Sequence, residues 1–355
     1  MSKHILMTGG GTLGPVTPLL AIVRVWQKRD SNIQVSWIGT PGGAERALVE
    51  SMHIPFETIY APKFDRDRPW LWPFIPFFLI VSCIQAFAYL KMSRPDIVFT
   101  AGGYVSVPVV WIAWLLRIPS WVHQLDVKPG LANKIMAPFA KKISVTWSDS
   151  AESFSSKKTS VVGGVVRPVV LDGDKERARD LYQLDASKPT LLVIGGGTGA
   201  QSINDALAVI GPELIGKMNV IHLTGKDKMT DELQNIAENY VALEFLGEGI
   251  ADVFALSDFV VSRAGMGTLI ELVALKKPCI IIPLHNFDQL HNAKMLEDQS
   301  AAEVLWSINP QILKQSILNL SEDDILQKQL SRRLSLLFPT YGAEEIVTKA
   351  SEMIK

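Results

Sequence analysis

The chain has 355 residues, more than one hydrophobic core usually serves, so two domains of ordinary size are expected. With 48% apolar and 20% charged residues it is not a disordered chain, and a net charge of −1 gives no general pull toward nucleic acid. Its two cysteines, Cys83 and Cys279, form neither a disulfide framework nor a metal-binding spacing, which predicts a reducing compartment and no metal site.

The first element in chain order is a strand at 4–8, followed at once by the glycine loop GGGTLG, which leaves no room for a secretory leader and predicts a cytoplasmic amino terminus. Further strands are expected at 34–38, 56–60, 96–100, 120–123 and 143–146. A second series follows at 190–194, 219–223, 242–246, 258–262 and 279–283. Between them lie patterns that are apolar at helical spacing, such as 17–28 and 266–276. This alternation predicts parallel sheets covered on both faces, and its two series predict two doubly wound α/β domains. The serine-rich stretch 148–160 marks the break, giving domains over 1–161 and 162–340. After Pro339, residues 341–355 read as a terminal helix that packs back on the first domain.

Residues 70–90 carry no charge and pass the length threshold for a membrane span. Spanning would separate strands that should share one sheet, and Pro73 and Pro76 leave only 77–90 as unbroken helix. The stretch is flanked by Lys63, Arg66, Arg68, Lys91 and Arg94, and is apolar on every side and rich in Trp and Phe. The reading is monotopic contact with an anionic membrane surface.

Three strand-to-helix turns are rich in glycine: 9–14, 102–106 and 195–199. Such turns present backbone N–H groups at a helix N-terminus, where phosphate is favoured. The loops at 9–14 and 195–199 are not followed by GK[ST], and the strands after them end Trp37-Ile38-Gly39-Thr40 and Leu223-Thr224-Gly225-Lys226 with no acidic residue for a ribose, so neither is a P-loop or a clean dinucleotide fingerprint. A fourth cluster, DFVVSRAGMGTLIE at 258–271, places Arg263, a small-residue turn and Glu271 in sequence, and LHNFDQLHNA follows the next strand. A carboxylate for ribose hydroxyls, an arginine and N–H groups for phosphate, and amides for a sugar together suit a nucleotide sugar.

With those residues assembled, the sequence resembles the MurG family, the undecaprenyl-diphospho-muramoylpentapeptide N-acetylglucosaminyltransferases. The resemblance rests on GGGTLGPVTP (9–18), RPDIVFTAGGYVSVP (94–108), GLANK (130–134), GGGTGAQSIN (195–204), SRAGMGTLIE (262–271) and DQLHNA (288–293). It implies a GT-B fold, two Rossmann-like domains facing a cleft, and inverting, metal-independent transfer from UDP-N-acetylglucosamine with no cofactor.

The resemblance also implies roles for particular residues. Glu271 would hold the ribose hydroxyls, with Arg263 from the same motif, and the Leu246 backbone would read the uracil edge. Met266 and Gly267 would meet the diphosphate through their N–H groups, Arg167 would reach phosphate, and Asp288 and Gln289 would contact the sugar. Gly197 stands where the family has a phosphate-binding serine, with the Thr198 hydroxyl next to it. Gly10, Gly11, Thr12 and Gly14, with Gly102, Gly103, Tyr104 and Ser106, would receive the diphosphate of a lipid-linked acceptor. The chain would then work at the cytoplasmic face of the membrane as a peripheral protein.

Three departures stand out: Leu13 replaces a family glycine, Pro15 replaces the loop histidine, and His123-Gln124-Leu125-Asp126 replaces HEQN. With Pro15 unable to act, His123 and Asp126 are the candidates for the base. The departures also keep open another lipid-linked acceptor, or a nucleotide-sugar-binding partner protein without catalysis.

Overall fold

The computed structural model describes residues 3–63, 68–197, 199–247 and 249–354. The chain divides into two compact units, residues 1–165 with 341–355, and residues 166–340. The strands of the first unit are β1 (His4–Thr8), β2 (Gln34–Gly39), β3 (Phe56–Thr58), β4 (Ile97–Thr100), β5 (Ser120–Gln124), β6 (Lys142–Val145) and β7 (Thr159–Val161). They form one parallel sheet in the order β3-β2-β1-β4-β5-β6-β7. The second unit holds β8 (Thr190–Ile194), β9 (Asn219–Leu223), β10 (Tyr240–Leu243), β11 (Phe259–Ser262), β12 (Cys279–Ile281) and β13 (Glu303–Val304). These are parallel in the order β10-β9-β8-β11-β12-β13.

Successive strand residues point to opposite faces, yet Ile5, Leu6, Met7 and Thr8 are all buried, as are all four residues of β4 and of β11. Both faces of these strands are therefore covered, which is why the sequence shows unbroken apolar runs there instead of alternation. In the first unit Trp26, from the helix Val16–Arg29, meets Phe99 edge-on at 5.6 Å, and Phe99 stacks on Trp121 at 5.8 Å. The terminal helix Gly342–Met353 packs against Val16–Arg29 in the same unit, with Arg29 Nη1 donating to Thr348 Oγ1 at 2.8 Å. A Cβ at Gly342 would lie 2.8 Å from the Gly164 carbonyl oxygen, so this docking needs glycine.

The structure adds two short edge strands, β7 and β13, of three and two residues, too brief to give a periodic signal. The serine-rich stretch 148–160 holds the helix Ser148–Ala151 and runs into β7, and the units divide after Val165, just beyond the expected boundary at 161/162.

The apolar stretch also differs from expectation. A 3-10 helix, Pro69–Phe74, runs into a 19-residue α-helix, Ile75–Ser93. Pro76 sits in its first turn, where no N–H is needed, so the helix starts ahead of the proline. The 25 residues Pro69–Ser93 are long and apolar enough to cross a membrane. The helix nevertheless links β3 to β4 in one sheet and buries a thin stripe, Ser82, Ala86 and Leu90, beside the helix Ser106–Leu115. Its other faces are bare: Trp70 is 66% exposed, Phe77 63% and Ile80 60%, and Trp114 and Leu115 on the neighbouring helix extend the patch. Arg66 of the expected basic flank lies outside the described residues, while Lys63, Arg68, Lys91 and Arg94 are exposed.

Candidate functional site

Ligands of doubly wound sheets sit at the C-terminal ends of the strands where the strand order reverses. In the second unit that point lies between β8 and β11, so the loops after these strands, 195–200 and 263–265, flank it. Gly196 and Gly199 have φ of +86° and +71°, and a Cβ at Gly199 would lie 2.1 Å from the Thr224 carbonyl oxygen. Gly197 is exposed in this turn; Thr198 lies outside the described residues.

Arg263 follows β11 and is buried. Its Nη1 donates to the Ile282 and Pro283 carbonyls at 3.0 and 3.3 Å, its Nη2 donates to Ser202 Oγ at 2.7 Å, and its buried Nε has no partner among the described residues. Burial lowers its pKa, and among the described residues no carboxylate lies within ion-pair distance. The helix Met266–Leu275 begins immediately afterwards at Gly265 with no side-chain cap, so the first-turn N–H groups, including those of Met266 and Gly267, lack side-chain acceptors. A buried cation beside an uncapped helix N-terminus is equipped to hold an anion.

Glu271 lies on that helix and is buried. Its Oε1 accepts from Arg167 Nε at 2.5 Å. Burial raises the pKa of Glu271, and the neighbouring Arg167 pulls it back down. The sequence reading gives these two residues separate tasks; the structure joins them. Leu246, half-buried, sits in the loop after β10. Asp288 and Gln289 open the helix Phe287–Asp298, which Asn286 caps by accepting Gln289 N–H at 2.9 Å. Gln289 is half-buried, and its Oε1 accepts the Leu284 N–H at 2.9 Å.

In the first unit the order reverses between β1 and β4. The loops that follow them touch: a Cβ at Gly103 would come 2.9 Å from the Gly10 carbonyl oxygen, and one at Gly11 would come 2.6 Å from the Tyr104 ring. Gly11, Thr12 and Gly14 are exposed. Gly10 and Gly102 are buried behind them, and Gly103 and Tyr104 lie half-buried at the loop edge.

Ser106 does not face a ligand. Its hydroxyl is buried, donates to the Thr8 and Gly102 carbonyls at 3.0 and 3.1 Å, and accepts from Thr100 Oγ1 at 2.9 Å. His123 is likewise enclosed, with Nδ1 2.9 Å from Ser144 Oγ and Nε2 3.5 Å from Thr146 Oγ1. A ring with both nitrogens inside the sheet cannot meet a substrate hydroxyl, and this corrects its reading as a base. Asp126 is half-buried in the loop after β5. Gln124 fixes that loop by donating to the Asp126 carbonyl at 2.8 Å, while its Oε1 accepts from Asn133 at 2.6 Å.

His123 instead shapes stability. Burial lowers its pKa from 6.5 to about 4, and burial lowers that of His222, held between Tyr240 and Asn204, to about 3. Both shifts are downward, so stability is complete above pH 6.5 and is lost as the unfolded chain takes up protons below it. Between pH 6.5 and 4, His123 alone should remove about 3 kcal/mol. Urea unfolding across this range should give a shallower slope for His123→Gln than for wild type; equal slopes would contradict the assignment.

Sequence reasoning missed two features. Trp114 and Leu115 were hidden in a helix that reads as core. Glu45 follows Gly42-Gly43, a pair of glycines that no motif explained.

The profile of the glycosyltransferase family 28 N-terminal domain matches residues 5–145, and that of its C-terminal domain matches residues 190–344. A Legionella pneumophila protein named UDP-N-acetylglucosamine–N-acetylmuramyl-(pentapeptide) pyrophosphoryl-undecaprenol N-acetylglucosamine transferase is 36% identical over 99% of this chain and 97% of its own. A Bacillus anthracis protein of the same name, numbered 2, is 38% identical over 86% of this chain and 87% of its own. In structure the chain is similar to the crystal structure of Acinetobacter baumannii MurG, with a TM-score of 0.76, 24% identity and 99% of each chain covered. The two Rossmann-like units, the two domain profiles and the extended identity agree, and the chain belongs to the MurG family of glycosyltransferases.

Proposed function

We propose that the chain transfers N-acetylglucosamine from UDP-N-acetylglucosamine to a lipid-linked muramoyl-pentapeptide diphosphate, by one inverting displacement at a membrane surface. The observation that carries the donor half is the buried Glu271 carboxyl group held by Arg167, on the helix whose uncapped N-terminus follows the buried Arg263. Names borne by relatives with 36–38% identity support the acceptor.

In this reading Glu271 accepts the ribose hydroxyls, and the Leu246 backbone reads the base. The Met266 and Gly267 N–H groups, Arg263, Arg167 and the turn 195–199 take the charge that develops on the departing UDP. Gln289 offers its amide NH2 to the sugar, with Asp288 next to it. The acceptor hydroxyl attacks the anomeric carbon as the bond to the UDP oxygen breaks, and Asp126 takes the hydroxyl proton. The acceptor diphosphate lies on the exposed N–H groups of the loop after β1, near Gly103 and Tyr104. A transfer assay with labelled UDP-N-acetylglucosamine, comparing the muramoyl acceptor with total membrane lipid, tests this; label appearing only in another lipid would reassign the acceptor.

Pro69–Ser93 would rest in the headgroup region, with exposed Trp and Phe as anchors and each flanking Lys or Arg adding about 1 kcal/mol near an anionic surface. Because Phe77, Phe78 and Ile80 are exposed, changing all three to serine should leave the fold intact. The variant should move from anionic liposomes to the supernatant and raise the apparent KM for lipid acceptor, with UDP affinity unchanged. Co-sedimentation equal to wild type would rule out this contact.

A further inference from the structure

Beneath the touching loops of the first unit lies a carboxyl group that belongs to neither of them. Glu45 opens the short helix Glu45–Glu50 after β2, and its side chain is fully buried. Oε1 accepts from Thr40 N–H at 2.8 Å and from Thr40 Oγ1 at 2.6 Å, while Oε2 accepts from Gly11 N–H at 3.3 Å. No basic side chain pairs with it among the described residues. Three glycines make its space: a Cβ would come 1.9 Å from the carboxyl group at Gly43, 2.1 Å at Gly10 and 3.1 Å at Gly39. Burying such a group is costly unless its hydrogen bonds are kept, so the cradle is built around these three donors.

The consequence appears one residue further on. The Gly11 N–H is taken by Glu45, so it is not a free phosphate ligand. The N–H groups of Thr12, Leu13 and Gly14 have no protein acceptor among the described residues, and Thr12 and Gly14 are exposed. The Tyr104 ring lies against Gly11, whose φ of +84° fixes the turn.

We infer that Glu45 is a positioning residue for the acceptor diphosphate. By holding Gly11 N–H it sets the 10–11 peptide, and so aims the three following N–H groups at the anion. This rests on the proposed reading that the lipid-linked diphosphate docks on this loop.

Glu45→Gln tests it with no change in size. Its oxygen can keep the two Thr40 bonds, which leaves an NH2 facing the Gly11 N–H, donor against donor. The KM for the lipid-linked muramoyl acceptor should rise about tenfold, while kcat at saturation and the KM for UDP-N-acetylglucosamine stay at wild-type values. In wild type, hydrogen exchange should be slower at Gly11 than at Thr12 and Gly14, a difference that does not depend on the variant folding. Glu45→Gln should remove it. Equal exchange at the three amides of wild type, or an unchanged acceptor KM in Glu45→Gln, overturns the inference while leaving the function standing. An equal rise in both KM values also overturns it, since that marks a general structural role. If wild type transfers no sugar to the lipid acceptor, the functional reading fails and takes this inference with it.

Discussion

Glu271→Ala should weaken UDP binding by roughly 1.5–3 kcal/mol, about 10- to 150-fold, because a buried carboxyl group accepting two ribose hydroxyls makes charge-assisted bonds. Its setting sharpens the expectation. Burial raises the Glu271 pKa, and Arg167, 2.5 Å away, is the group that restrains the rise. Arg167→Ala should therefore push that pKa higher and shift the loss of UDP affinity on acidification to higher pH than in wild type. The sign for folding is opposite to that of the buried histidines. A carboxyl group whose pKa is raised on folding favours the folded state at low pH and loses that contribution as pH rises through its folded value. Glu271→Gln should therefore be no less stable than wild type at neutral pH, which separates lost binding from lost folding. Calorimetry showing unchanged UDP affinity in folded Glu271→Ala would sink the assignment.

Asp126→Asn should lower turnover by roughly 10²–10⁴-fold, the usual contribution of a positioned base. UDP affinity should remain intact, because Asp126 belongs to the first unit and the Glu271 cluster to the second. His123→Gln, by contrast, should turn over within a few-fold of wild type, because both ring nitrogens lie inside the sheet. A metal chelator should leave turnover unchanged. Normal turnover in Asp126→Asn would move the base elsewhere, and loss of turnover on chelation would refute the metal-free displacement.

The sequence alone determined the doubly wound architecture. Strands buried on both faces are built from apolar runs, and β1, β4, β8, β11 and β12 leave that mark. It also placed the glycine turns at strand ends, since φ near +85° at Gly11 and Gly196 is open to few residues but glycine. What it could not determine was the partner of each polar side chain. Arg167 and Glu271 are 104 residues apart, and nothing local announces their bond. His123, near the end of β5, and Ser106, at the start of the helix Ser106–Leu115, carry chemistry that suits a site, but packing turned both inward against neighbouring strands and loops. Glu45 shows the converse. Its residue type and spacing suggest a solvated helix start, and only the convergence of Gly10, Gly39 and Gly43 around it makes it part of the loop. The helix Ile75–Ser93 is apolar on every side, so its sequence could not say which stripe is buried. The narrow contact with Ser106–Leu115 decided that, and left its aromatic side chains outside.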